Sequence, residues 1–213
     1  MIETVQRLLE SIYGTRSEVR AADFVVDAAQ AAELGARPRA REEVLVSHTG
    51  DDLELALYLD EKLLKRVSNF ERAPQVAVEQ RLGDFCEVTE GVSHFMYLAH
   101  TADQGRRVSL LELEAQAEVD KFALCTMLKW GQGVSRWAQG LVSRLFNRVS
   151  FHGHLQPEER WRYSEANRLA KQYCGRLMPL IQPGGTEKLL RELRHSYRLG
   201  ADAKLAHLAR SRD

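Results

Sequence analysis

Acids and histidines at helical spacing are the residues of this chain best suited to chemistry. Glu87, Glu90 and His94 recur at three- and four-residue intervals, and Glu114 and Glu118 stand one turn apart further along. On facing helices, such a set holds two iron or manganese ions, because these cations take several oxygens together with an imidazole. Three residues separate Glu90 from His94, one more than in the usual Glu-x-x-His pair. At about 100° per residue, Glu87, Glu90 and His94 fall opposite Phe85, Val88, Val92 and Phe95, so they meet a core only if a further layer covers that side. Two neighbouring acids on a buried helix repel each other unless a cation neutralises them. Lys121, three residues beyond Glu118, supplies that cation without a metal. Two readings stand: Glu90, His94, Glu114 and Glu118 as ligands of a metal-dependent helical-bundle enzyme, or an ordinary Glu118–Lys121 ion pair.

Other arrangements say less. His152-Gly153-His154 places two imidazoles on one side of an extended segment, but no cysteine or acid cluster adjoins it to complete a zinc set. Glu192-x-x-His195 has metal-ligand spacing on a strongly basic helix, where solvent pairing explains it equally well. No Gly-x-Ser-x-Gly elbow, dinucleotide fingerprint or phosphate-binding P-loop occurs. The three cysteines, Cys86, Cys125 and Cys174, are an odd, widely spaced set within apolar helical patterns. They read as small buried hydrophobes rather than a disulfide framework or a zinc knuckle.

Charge is unevenly distributed. Residues 1–122 hold 14 Lys/Arg against 23 Asp/Glu and the rest 16 against 7, so a formal net charge of zero conceals halves of −9 and +9. Three stripes carry the positive charge: Arg136, Arg144 and Arg148; Arg160 and Lys171; and Lys188, Arg191, Arg194, His195 and Arg198. Each is backed by an apolar stripe, such as Leu189, Leu190, Leu193 and Tyr197. Where such stripes face one groove they form a site for carboxylate or phosphate, to which arginine bonds through two donors. The same asymmetry also suits packing of one half against the other, or a homo-oligomer. A pI of about 7.1 and the lack of a recognised nucleic-acid-binding signature argue against a dedicated nucleic-acid domain. Trp130, Trp137 and Trp161, among apolar residues at helical spacing, read as core.

The elements that position these residues are mainly helical. Ile2, Val5, Leu9 and Ile12 mark a helix stopped by Gly14, and Thr15 with Glu18 forms a capping-box pattern for a second helix reaching Leu34. Leu53, Leu55, Leu57 and Leu59 alternate after the turn Thr49-Gly50-Asp51-Asp52, and with Val44 and Val46 they predict a β-hairpin that lays its apolar face on helices. Asp60 caps a short helix to about Arg66. From Arg81 onward only helices are expected: one through Phe85 to Ala99, one at 109–130 apolar around most of its circumference, and others near 134–149, 157–178 and 186–199, with a short final one. The predicted class is therefore mainly α (α+β), a multi-helix bundle with one N-terminal hairpin. It divides near Pro74 into an α+β part, 1–73, and a bundle, 74–213, or forms one continuous domain.

No run approaches the ~20 apolar residues of a membrane span, and Met-Ile-Glu-Thr does not resemble a secretory start. The expectation is a cytoplasmic, non-enzymatic adaptor or regulator whose basic C-terminal helices bind an acidic protein surface or a nucleic-acid backbone. The alternatives are the iron or manganese enzyme and direct nucleic-acid binding.

Overall fold

The computed structural model describes residues 1–49, 52–147 and 156–211. It is mainly helical with one small sheet, in two compact units: residues 1–11 with 15–107, and residues 12–14 with 108–213. Pro74 lies inside the first unit, as the first residue of a helix.

The first unit opens with most of α1 (Ile2–Tyr13), which Gly14 ends at φ 62°. The single helix expected from Thr15 to Leu34 is not formed. A 3-10 turn (Ala21–Phe24), the two-residue strand β1 (Val25–Val26) and a short helix α2 (Ala28–Glu33) replace it. The Thr15/Glu18 pattern loses to a stronger local signal: the Asp27 carboxylate accepts hydrogen bonds from Ala29 and Gln30, and Gln30 reciprocates in a capping box. The β-branched Val25–Val26 pair ahead of that cap prefers extended backbone. It pairs parallel with the hairpin, adding a third strand that the alternation did not indicate.

The hairpin is present as β2 (Glu42–Thr49) and β3 (Asp52–Leu59), in the order β1-β3-β2, with Val44 opposite Leu57. Gly50 and Asp51 of its turn lie outside the described residues. Leu57 and Leu59 are buried against α5 (Leu82–Ala102), each worth roughly 1.5–3 kcal/mol of burial. Gly91 permits the close approach, since a Cβ there would lie 3.1 Å from Leu59 and 3.2 Å from Leu57. Asp60 caps α3 (Glu61–Ser68) by accepting from the Leu63 amide, as its position predicts. Helix α4 (Pro74–Gln80), absent from the sequence expectation, is only seven residues long, too short for a clear helical period.

In the second unit, Ser109 caps α6 (Leu110–Leu128), which is buried along most of its length and packs on α7 (Val134–Val142), α8 (Pro157–Leu177) and α10 (Ala201–Leu208). Its apolar residues on every side required this. A π-helical turn (Ser143–Asn147) follows α7, and Phe146 there tilts against Phe122 with ring centroids 6.3 Å apart. Helix α9 (Thr186–Arg198) buries Leu189, Leu193 and Tyr197. No described helix is long and apolar enough to cross a membrane.

Candidate functional site

Helix α9 owes its position to its two ends and its apolar stripe. Gly185 opens it, packed so tightly that a Cβ would sit 2.0 Å from the Leu180 carbonyl oxygen. Near its C-terminus, Tyr197 stacks on Tyr13 at 4.0 Å between centroids. With that face buried, Lys188, Arg191, His195 and Arg198 are left exposed. Leu190 and Leu199 join Arg191, Arg194, His195 and Arg198 in lining a shallow concavity of about 410 Å³.

The basic residues of this face do different jobs. Arg194 is half-buried and donates from Nε to the Ile12 carbonyl at 2.9 Å, satisfying the end of α1, so it is partly a structural group. Arg191 meets Glu187 one turn away at 3.0 Å, with both side chains largely in water, where such pairs contribute little. Glu192 turns away from the face and meets His207 Nε2 at 2.7 Å, rather than pairing with His195.

The remaining predicted cations are dispersed. Arg160 and Lys171 on α8 are exposed, as is Arg136 on α7. Arg144 and Lys129 lie over the Trp137 ring at 5.9 and 5.6 Å, a cation–π arrangement. Arg148, His152 and His154 lie outside the described residues. Trp161, expected in the core, is 61% exposed. Arg176 gathers the His207, Leu208 and Arg210 carbonyls at the end of α10, at 2.7, 3.1 and 2.6 Å.

The four candidate metal ligands divide between the units, Glu90 and His94 on α5 and Glu114 and Glu118 on α6. His94 is buried, its Nδ1 3.9 Å from Glu42 Oε2. Glu114 is buried with Arg162 Nε 3.7 Å away. Glu118 pairs with Lys121 at 2.8 Å, the i, i+3 contact its spacing offers. Cys86, Cys125 and Cys174 are free and buried, and burial holds the Cys174 thiol well above its usual pKa, so it is not poised as a nucleophile.

Two groupings escaped the sequence reading. In the second unit, Tyr13 donates to Asp120 Oδ1, Gln116 Nε2 donates to the same oxygen at 2.7 Å, and the fully buried Lys204 donates to Gln116 Oε1 at 2.7 Å and to the Tyr197 carbonyl at 3.2 Å. Burial first, then the Asp120 charge, pushes the Tyr13 phenol far up in pKa. This cluster of four polar groups is matched donor to acceptor, which suits it to holding residues 12–14, α6 and α10 of the second unit together.

In the first unit, Arg37, Arg39, Arg41, Lys62, Arg66 and Arg81 line one cleft of about 970 Å³. The run Arg37-x-Arg39-x-Arg41, three arginines within five residues, was the available signal. It sits in the net-negative half of the chain, where attention to whole-half charge hides it. Comparison with family models, curated proteins and solved structures gives no match to the chain.

Proposed function

We propose that the protein is a non-catalytic interaction protein that binds an acidic segment of a partner protein through the exposed basic face of α9. The observation that carries this reading is the concavity lined by Arg191, His195 and Arg198 together with Leu190 and Leu199, with Glu187 as its one lining acid among the described residues. Cations bordering a small apolar floor match an acidic segment that also carries hydrophobic side chains. The Glu187–Arg191 pair is water-exposed, so Arg191 exchanges it for a partner carboxylate at little cost. A nucleic-acid backbone would use the same cations but leaves the two leucines without a role.

Charge reversal tests the proposal. Lys188→Glu, Arg191→Glu and Arg198→Glu together leave Arg194 and its contact to α1 intact, and are expected to abolish capture of the partner from nuclease-treated lysate while the thermal transition is retained. A partner held equally by the folded triple variant removes the electrostatic mechanism, and material lost on nuclease treatment moves the assignment to nucleic acid.

A further inference from the structure

We propose that the basic cleft of the first unit, formed by α2, the connection 35–41, α3 and the start of α5, is a binding site for a phosphate-bearing small molecule of nucleotide size. It lies on different elements from the α9 face and stands or falls independently of it.

Positive charge predominates in the cleft. Among the described residues six cations line it against two acids, Asp60 and Asp84, both already committed, while Glu43 outside the lining pairs with Arg37 at 2.9 Å. Asp60 Oδ1 accepts from the Leu63 amide at 3.0 Å as the cap of α3. Asp84 takes Arg66 Nε and Nη2 on its two oxygens, at 3.0 and 2.9 Å, and Arg41 Nη2 at 2.9 Å. Arg39, Lys62 and Arg81 have no carboxylate partner among the described residues. Like charges converging on a concavity raise the local concentration of anions, and guanidinium forks match phosphate oxygens.

Two of the cations are held in place within the cleft. Asp84 fixes the Arg66 guanidinium through two donors and leaves Nη1 available, and Arg41, held by Asp84 and Glu87 through its two terminal nitrogens, keeps Nε. Cations held in place before a ligand arrives lose less freedom on binding it. Arg39 has φ 66°, the one left-handed non-glycine residue among those described. Backbone outliers of this kind concentrate at binding sites, and this one sits in the middle of the cation run.

Size and surface set the ligand class. A volume of about 970 Å³ lies in the range of cofactor and metabolite sites and far exceeds one inorganic phosphate. Ala28, Ala31, Ala32, Pro38 and the Tyr58 side chain supply an uncharged wall beside the cations. A ligand with clustered phosphates at one end and a flat, weakly polar group at the other fits both surfaces.

Isothermal titration calorimetry with ADP, pyrophosphate, adenosine and citrate on the full chain tests the assignment. ADP is expected to bind, pyrophosphate about tenfold more weakly, and adenosine and citrate without detectable heat. Arg39→Ala with Arg81→Ala is expected to weaken ADP at least about tenfold with an unchanged thermal transition. Should that double variant not fold, Lys62→Ala on the exposed start of α3 carries the same expectation of weakened ADP. Absence of ADP and pyrophosphate binding by the native chain at about 1 mM overturns the proposal. So does unchanged affinity in the folded variants, or citrate binding as tightly as pyrophosphate.

Discussion

Asp84 grips Arg66 through two parallel hydrogen bonds, Oδ2 to Nε at 3.0 Å and Oδ1 to Nη2 at 2.9 Å, and shares Oδ1 with Arg41. One carboxylate from α5 thereby fixes guanidinium groups from α3 and from the connection before β2. The Arg66 hydrogen bonds hold the Asp84 carboxyl below its ordinary pKa against the opposing effect of burial.

An acid whose folded pKa is depressed contributes stability that is present above its unfolded value, near pH 4, and is lost as pH falls through the folded value. Asp84→Asn keeps the shape and removes the charge, so its melting temperature is expected to fall less steeply than that of the native chain below about pH 4. Neighbouring Glu87 runs the other way: burial raises its pKa, which costs stability as pH rises through that value. Identical acid limbs for Asp84→Asn and the native chain would contradict the assignment.

Asp120 is expected to be the most sensitive polar position of the second unit. Truncation to Ala removes the acceptor of the Tyr13 hydroxyl and leaves Gln116 Nε2 with that hydroxyl, 3.1 Å away, as its remaining partner in the cluster. The expected loss is about 2–4 kcal/mol, read by urea denaturation. Asp120→Asn, which keeps an acceptor, is expected to lose less.

Gly185 is required for space rather than for backbone conformation. Its φ of −88° is open to any residue, yet a Cβ meets the Leu180 carbonyl oxygen at 2.0 Å. Gly185→Ala is therefore expected to destabilise by about 2 kcal/mol or more by displacing the start of α9. Gly184→Ala next to it meets nothing within 4 Å, and its cost comes only from the strained φ of +81°. A melting temperature for Gly185→Ala equal to that of the native chain would contradict the packing.

The buried thiols give a further check. Cys125 and Cys174 are fully covered and Cys86 is 8% exposed, so brief iodoacetamide treatment of the native chain is expected to label neither Cys125 nor Cys174, and all three after unfolding. Labelling is read by peptide mass spectrometry, and rapid native modification of Cys174 would contradict its raised pKa.

Much of the architecture was legible because period and caps agreed. The all-round apolar pattern of 110–128 required a buried helix, Asp60 and Ser109 are side-chain caps in place, and the leucine alternation of 53–59 is a strand with its inner half covered. The stretch 15–34 was misread because its alanines favour a helix and outweighed Val25–Val26 and the Asp27 cap, whose decisive partner, β3, lies thirty residues away. The candidate sites were less legible. Exposed cations on α9 follow from a helical wheel, but Arg194's contact to the Ile12 carbonyl and the convergence of Arg37, Arg39 and Arg41 with Arg66 and Arg81 are products of tertiary folding. The same holds for the buried quartet of Tyr13, Gln116, Asp120 and Lys204, drawn from three separate helices.

Binding of an acidic protein segment by the basic face of α9 is measured by fluorescence anisotropy with a labelled peptide of alternating glutamate and leucine. A labelled single-stranded oligonucleotide of equal charge is titrated alongside, against the native chain and Lys188→Glu/Arg191→Glu/Arg198→Glu. Peptide binding is expected to be saturable and to tighten as salt is lowered, with weaker oligonucleotide binding and at least about a tenfold loss of peptide affinity in the folded triple variant. Equal affinity of the two proteins for the peptide, or preference of the native chain for the oligonucleotide, would contradict it.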